Sequence, residues 1–327
     1  MGTRVHYWPA DRRDGMAVFF TQVGYKPTSE WKEEIVYLDP AAYTPLDIVF
    51  PDGTSTTVAA GADPRVAFAD WLIRPDNPWF ARNLVNRAWY WLMGRGIVHE
   101  PDDIRADNPA AIPALLAYLE REFIISGYDI RHLFRLILNS RTYQQSSVPR
   151  SEHPQAEALF GHYIVRRLDA EVLFDALGVL DGRGALYQSP VPEPFTFVPE
   201  YHRTIELSDG SISSQFLEKF GRPGRDTGLE LERDNEFSVD QAMYLLNSSE
   251  VQTRIGKSPR VREIVQQTRR NPDRGVKALY RLLLTRPPTP GELDLAVAYP
   301  GIADGDRKAF EDLCWALINS KEFLYRH

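Results

Sequence analysis

Apolar residues recur at helical spacing along most of the chain after residue 63, and this periodicity constrains the fold more than any other feature of the sequence. Phe80, Leu84, Ala88 and Leu92 follow one another at intervals of four, which places them on one face of a helix. Polar residues of the kind that cap helices precede the apolar stripes, and glycines follow several of them. The sequence therefore predicts a mainly α-helical chain.

Typical N-cap side chains allow several helix starts to be placed. The short connections between the predicted helices favour antiparallel neighbours, so we expect a multi-helix orthogonal bundle. The helix that starts at Ser238 is expected to run through Ile255. The predicted start residues are Asn77, Asn108, Asp129, Ser238 and Thr289.

The first 60 residues have a different character. Glu34–Leu38 has the pattern of a strand, and residues 47–58 have the pattern of a hairpin around the turn Pro51-Asp52-Gly53. We expect residues 1–60 to form a small N-terminal β-hairpin region that joins an upstream module, and residues 61–327 to form the helical domain.

A long irregular insertion, residues 181–237, interrupts the helical domain. Its first part is rich in proline and glycine, which are incompatible with regular helices. Aromatic residues such as Tyr187 and Tyr201 predict that this part packs against the domain. A loop of this length in a compact domain is often functional.

Charge, cysteine content and hydropathy exclude several classes of protein. The chain has 45 acidic and 38 basic residues and a net charge of −7, so it lacks the basic excess of a general nucleic-acid binder. A single cysteine, Cys314, excludes internal disulfides and c-type haem attachment. The histidines show no ligand spacing, so we expect no metal and no cofactor. No segment approaches the roughly 20 apolar residues of a membrane span.

The N-terminal residues lack the apolar core of a secretory signal. By itself this predicts a cytoplasmic chain, or else a piece of a longer exported protein.

The densest cluster of charge lies near the end of the insertion. Glu230 and Glu232 alternate with leucines, so an extended backbone would place both carboxylates on one side. Arg222, Arg225 and Arg233 are close enough in sequence to pair with them. Such carboxylates can act as an acid/base pair or hold sugar hydroxyls. They can equally tie a loop to its neighbours through ion pairs, which is the commoner role.

A second polar set occupies one face of the helix that follows Asn77. Asn83, Asn86, Arg87 and Tyr90 offer many hydrogen-bond donors and little nucleophilic power. This composition suits binding or a buried hydrogen-bond network, and the network is the commoner case.

Five ordered segments of the sequence form a distinctive set: residues 77–98, 126–143, 216–225, 245–247 and 319–323. They resemble, in the same order, the characteristic blocks of the planctomycete-type domain of unknown function 1553. Together they cover about residues 60–327.

This resemblance implies a setting and no reaction. The domain is usually the C-terminal part of large exported proteins, where it follows cytochrome-c-like modules in bacteria that degrade polysaccharides. The resemblance therefore implies the periplasm or cell envelope and an accessory role near carbohydrate oxidation or breakdown. Family members often have cysteines where this chain has Gly228–Arg233, so a thiol or metal role is not expected there.

Three hypotheses about function follow. The first is a non-catalytic accessory module that binds a partner or glycan in a cleft between the 181–237 insertion and the face that carries Asn83 and Arg87. The second is a carbohydrate-active enzyme that uses Glu230 and Glu232, with Arg222 or Arg225 as the charge stabiliser. The third is a docking module for a haem protein that delivers electrons. The expected partners are a cytochrome-c-like module or a glycan, and not a nucleic acid.

Overall fold

The chain folds into two compact units, Met1–Tyr163 and Ile164–His327, in the computed structural model. Helices account for about 49% of the structure, and each sheet among the described residues has two strands, so the predicted mainly α class is confirmed. The predicted domain boundary near residue 60 stays a prediction. The structure describes residues 7–28, 34–41, 44–182, 185–187, 198–199, 201–207, 210, 212–224, 228–268 and 271–326.

The first unit begins with a helix and two antiparallel strand pairs. Helix α1 (Ala10–Val18) precedes strands β1 (Val23–Pro27) and β2 (Glu34–Leu38), and the β3 (Leu46–Val49) and β4 (Ser55–Val58) hairpin follows. The strand prediction and the hairpin prediction are both confirmed. Helix α1 has no counterpart in the sequence prediction, because none of its residues is buried and it therefore lacks an apolar stripe.

An aromatic core fixes the β3–β4 hairpin to helix α2 (Pro64–Leu72). The ring of Phe50 stacks on Trp71 with 5.3 Å between the ring centroids. The indole N–H of Trp71 donates a hydrogen bond of 2.8 Å to Asp52 Oδ2 in the hairpin turn. Gly53 completes that turn with a φ of 88°, a backbone conformation that favours glycine.

Helices α3 (Phe80–Met93), α4 (Pro113–Ile125) and α5 (Ile130–Leu138) build a separate apolar core in the same unit. The sequence predicts Pro78 as the first helical residue, but helix α3 begins at Phe80, two residues later. Trp79 is the N-cap residue, and the Oδ1 of Asn77 accepts hydrogen bonds from the backbone N–H groups of Trp79 and Phe80.

The predicted helix start at Asn108 is wrong. Helix α4 begins at Pro113. The side-chain amide of Asn108 instead donates to the carbonyl oxygens of His99 and Asp103, at 3.1 and 2.9 Å. Asparagine stabilises loops by the same kind of side-chain to backbone bond that caps helices, so the sequence signal is ambiguous.

The second unit is a helical array closed by a short strand pair. Helix α6 (Ala170–Gly178) precedes the insertion, and helix α7 (Gln215–Lys219) lies within it. Strand β5 (Arg166–Arg167) pairs antiparallel with β6 (Tyr325–Arg326), so the two ends of the unit meet. The other helices are α8 (Val239–Asn247), α9 (Ser249–Lys257), α10 (Pro259–Thr268), α11 (Pro272–Leu284), α12 (Pro290–Val297), α13 (Arg307–Ile318) and α14 (Lys321–Leu324).

Capping side chains set the boundaries in this array. Both predicted capping boxes, which start at Ser238 and Thr289, are present. The single helix predicted from Ser238 to Ile255 is wrong, because the chain is extended at Ser248 and begins a new helix there. The hydroxyl of Ser248 accepts a 3.2 Å hydrogen bond from the Val251 amide, which makes Ser248 an N-cap.

No helix among the described residues combines the length and the apolar character that a bilayer crossing requires.

The contact between helices α10, α11 and α13 depends on a glycine. A Cβ atom at Gly275 would lie 2.6 Å from Thr268 Oγ1 and 2.8 Å from Phe310 Cζ. We expect Gly275→Ala to lower the free energy of unfolding by about 1–3 kcal/mol despite the better helix propensity of alanine. Urea denaturation measures this change. The matched control is Gly291→Ala, because a Cβ there meets nothing within 4 Å. A stability of Gly275→Ala equal to or above that of the wild type would contradict the prediction.

Candidate functional site

The charged cluster predicted at the insertion is real, but its centre is Glu171 in the first turn of helix α6. The Glu171 side chain is fully buried. The Arg233 guanidinium binds it in bidentate fashion, with Nη1 at 2.6 Å from Oε2 and Nη2 at 2.9 Å from Oε1. Paired N–H···O bonds of this geometry are among the strongest polar contacts in proteins. The pair joins helix α6 to the end of the insertion, 62 residues further along the chain.

Electrostatics keep this buried pair ionised. Burial alone raises the pKa of Glu171, but the hydrogen bonds and charge of Arg233 outweigh burial and hold that pKa below its usual value. Burial alone lowers the pKa of Arg233, and its bonds to Glu171 reverse the direction, so that this pKa is raised.

Arg222, eleven residues before Arg233 in the sequence, approaches the same Glu171 carboxylate. Its side chain is 1% exposed, and its Nε lies 3.8 Å from Glu171 Oε1. Its Nη1 also donates to the Ile212 carbonyl. Two arginines that were predicted to pair with Glu230 and Glu232 are therefore directed at Glu171 in the interior of the unit.

Arg167 completes the cluster, and sequence reasoning did not single it out. This buried side chain donates from Nη2 to the carbonyl oxygens of Phe220 and Asp234, at 2.8 and 2.9 Å. Its guanidinium lies 5.4 Å from the centroid of the Phe220 ring, a cation–π distance. Burial lowers the pKa of Arg167. One side chain thus holds both ends of the loop between residues 220 and 234.

The extended geometry predicted for Glu230 and Glu232 is wrong. Residues Glu230–Glu232 form a short 3-10 helix, in which the Glu232 and Arg233 amides bond to the carbonyls of Leu229 and Glu230. Side chains two residues apart do not share a face of such a helix. Both glutamates are half-buried. Their catalytic role stays a prediction, and Arg225 lies outside the described residues.

The second predicted set is in the first unit, where Asn86 is part of a buried network. Its side-chain amide donates to the carbonyls of Val98 and Pro101, and its Oδ1 accepts from the Val98 amide, all within 2.9 Å. Arg87 pairs with Asp102 in the same loop, at 2.5 Å. This supports the network interpretation of that helix face.

The remaining members of that set, Asn83 and Tyr90, are half-buried on helix α3. Because Asn83 and Arg87 belong to the first unit and the insertion belongs to the second, the predicted cleft between them stays a prediction.

The described part of the insertion packs against the second unit, as the sequence predicted. Thr204, Leu207 and Ile212 are all buried. Asp175 of helix α6 holds this segment, because its Oδ1 accepts hydrogen bonds from the Thr204 amide and hydroxyl at 2.9 and 2.5 Å. The hydroxyl groups of Tyr187 and Thr204 extend the network.

This packing forms a cleft of about 390 Å³. Tyr201 contributes an aromatic side chain that is 52% exposed and has a φ of 65°. A tyrosine rarely adopts positive φ, and such strained residues cluster at ligand sites. The lining includes Phe174, Asp175, Asp181, Tyr201, His202 and Arg254.

Arg254 forms the charged wall of the cleft. Its guanidinium lies 4.5 Å from the centroid of the Phe174 ring and pairs with Asp181 at 3.2 Å and Glu250 at 3.1 Å. Burial and the Glu250 charge raise the pKa of Asp181, although Arg254 acts in the opposite direction. Glu250 also accepts a hydrogen bond from the hydroxyl of Tyr244, a residue outside the lining of the cleft. Burial and this bond raise the pKa of Tyr244 to about 12. The cleft therefore offers aromatic surface, carboxylates and a fixed cation.

No group of three or more histidine, cysteine or carboxylate side chains with the geometry of a metal site occurs in the part of the chain that the structure describes.

The Glu171–Arg233 pair allows a stability test. Arg233→Met strands the buried carboxylate, so we expect a loss of about 3–5 kcal/mol in the free energy of unfolding at pH 7. The folded-state pKa of Glu171 is depressed, so the pair stabilises above the unfolded-state pKa and its contribution is lost as pH falls through the folded-state value. The difference between wild type and variant should therefore shrink as the pH falls below the ordinary glutamate pKa of about 4.3. Denaturation in urea at several pH values measures both.

Two variants serve as controls for this test. Glu171→Gln combined with Arg233→Met should lose less than the sum of the single changes, since the two residues are coupled. Arg203→Ala removes an exposed pair with Glu206 and should change stability little. A pH-independent difference between wild type and Arg233→Met would contradict the role given to Glu171.

The comparisons with known proteins identify a family. A search of curated proteins and a search of solved structures found no match. The model of PSD1, a protein of unknown function (DUF1553), matches residues 64–299, from the start of helix α2 to just beyond helix α12. This match spans more than two thirds of the chain and agrees with the resemblance read from the sequence blocks. The chain therefore belongs to the PSD1 family of proteins of unknown function (DUF1553).

Proposed function

We propose that this protein is a non-catalytic accessory module of a bacterial cell-envelope system, and that the cleft beside Tyr201 and Arg254 binds a glycan. The envelope setting and a cytochrome-c-like partner are supported by the family resemblance alone. The role as a binding module is supported by the geometry of the second unit.

One observation carries this proposal: Arg222, one of the two arginines that the enzyme hypothesis offers as charge stabiliser, is committed to structure, and so is Arg233. Arg222 is 1% exposed and Arg233 is bound to the buried Glu171 carboxylate. A charge stabiliser must face the developing charge of a substrate. Cations directed at an interior carboxylate support scaffolding, and this favours the binding module over the carbohydrate-active alternative with Glu230 and Glu232.

The properties of the cleft support a glycan as the ligand. Its volume of about 390 Å³ lies within the range of roughly 300–1,000 Å³ that is typical of small-molecule sites. The exposed ring of Tyr201 can cover the apolar face of a sugar, and tyrosine combines apolar area with a polar tip. Asp181, whose side chain is 39% exposed, supplies acceptors for hydroxyl groups at a position that its pair with Arg254 fixes.

We expect Tyr201→Ala to weaken glycan binding about tenfold or more, because the ring supplies the apolar contact in the cleft. The measurement is a glycan-array screen, followed by calorimetric titration of the best soluble oligosaccharide. The control is Tyr25→Ala, which removes a comparably exposed tyrosine from the first unit.

Two results would contradict the proposal. Equal binding by wild type and Tyr201→Ala would place the glycan elsewhere. New reducing ends in the titrated samples, abolished by Glu230→Gln or Glu232→Gln, would establish the enzyme alternative instead.

A further inference from the structure

A strongly basic segment stands out in an acidic protein. The 25 residues from Lys257 to Arg281 carry eight basic and two acidic side chains, a surplus of six positive charges. The whole chain has a net charge of −7, so the other residues together carry −13. Two of the eight, Arg269 and Arg270, lie outside the described residues. Four of the described basic side chains and both acidic ones line a single groove, which therefore carries a net charge of +2.

Helices α10 and α11 form an open groove of about 750 Å³ at this segment. Arg260, Arg274, Lys277 and Arg281 line it, together with the acidic residues Glu263 and Asp273. Its apolar lining consists of the half-buried side chains Ile264, Ala278 and Leu282. The groove is therefore amphipathic, because its lining combines cationic side chains with apolar ones.

Helix α11 carries three of the cations that line the groove. Among the described residues, no acidic side chain pairs with Arg274, Lys277 or Arg281. Arg286, just beyond the helix, shows the contrast, because Glu292 and Glu322 both bind it. Like charges three and four residues apart on one helix face repel and destabilise it. Cations that no carboxylate of the described chain neutralises are available to an acidic partner.

We propose that this groove binds an acidic amphipathic segment of another protein. The carboxylates of such a segment complement the guanidinium groups of Arg274 and Arg281, which favour bidentate contact with carboxylates. Its apolar side chains cover Ile264 and Leu282, a contact that a nucleic acid or a purely charged polymer does not make. A helix laid in a groove with apolar anchors at spacings of three and four residues is an established recognition mode.

This inference stands apart from the proposed glycan site. The groove and the cleft share Arg260 and Leu282, whereas Arg274, Lys277 and Arg281 line the groove only. Variants at the latter residues therefore test the groove without touching the cleft.

The test uses the full chain and a fluorescein-labelled 18-residue helical peptide with glutamates on one face and leucines on the other. We expect fluorescence anisotropy to show binding that weakens as ionic strength rises. Lys277→Ala combined with Arg281→Ala should weaken it about tenfold. The matched control, Lys257→Ala combined with Arg262→Ala, removes two basic residues that do not line the groove and should bind within about twofold of wild type. Tyr201→Ala should bind this peptide like wild type.

Control ligands decide the chemistry. A peptide with the same composition but a scrambled pattern, or polyglutamate of the same length, should bind at least tenfold more weakly. Equal binding of these, or of a DNA duplex, would show a general polyanion surface and overturn the proposal. So would the absence of binding at about 1 mM peptide, an affinity too weak for a specific partner. Self-association in sedimentation that Lys277→Ala with Arg281→Ala abolishes would assign the groove to a second copy and overturn it as well.

Discussion

The buried carboxylate of Glu171 is the constraint on which the organisation of the second unit depends. An ionised carboxylate without exposure to water is stable only if cations and hydrogen-bond donors replace its solvation. Arg233 and Arg222 supply them, and both come from the insertion. The chain must therefore return to helix α6 at both positions. Arg167 donates hydrogen bonds to the carbonyls of Phe220 and Asp234, so one side chain holds both ends of the loop between them.

The same constraint positions the candidate binding surface. Helix α6 carries Glu171 near its start and Asp175 one turn later, and Asp175 holds the Thr204 segment that forms one side of the cleft. The later part of the insertion is held by a close backbone approach, because a Cβ at Gly221 would lie 1.9 Å from the Asp234 carbonyl oxygen. The cleft is thus built on a helix and on a segment that Asp175 of that helix holds by hydrogen bonds. The basic groove between α10 and α11 is independent of this network.

Much of the helical architecture could be predicted from the sequence, because its signals are local. The capping boxes at Ser238 and Thr289 and the aspartate cap at Asp129 are all present in the structure. The prediction failed where one residue type serves two local structures. Ser248 interrupts an apolar pattern that continues on both sides of it, and Asn108 bonds to loop carbonyls instead of capping a helix.

The candidate site could be predicted only in part. Charge density along the insertion correctly indicated that Arg222 and Arg233 take part in ion pairs, but their shared partner was outside any sequence window. Glu171 lies in a helix with a predominantly apolar core face, 62 residues from Arg233, and no local pattern links them. An acidic residue among buried apolar positions of a predicted helix, together with an excess of arginine in a later loop, was the one signal that could have indicated the pair.

The central claim, that buried arginine contacts fix the insertion to the segment formed by strand β5 and helix α6, is tested most directly by amide hydrogen exchange in Arg167→Met. This substitution keeps an apolar stem and removes the donors to Phe220 and Asp234. The account predicts faster exchange at the amides of Arg222 and Asp234, which donate to the carbonyls of Leu217 and Gly221, with unchanged protection at Leu279 in helix α11. Unchanged exchange at Arg222 and Asp234 would contradict it.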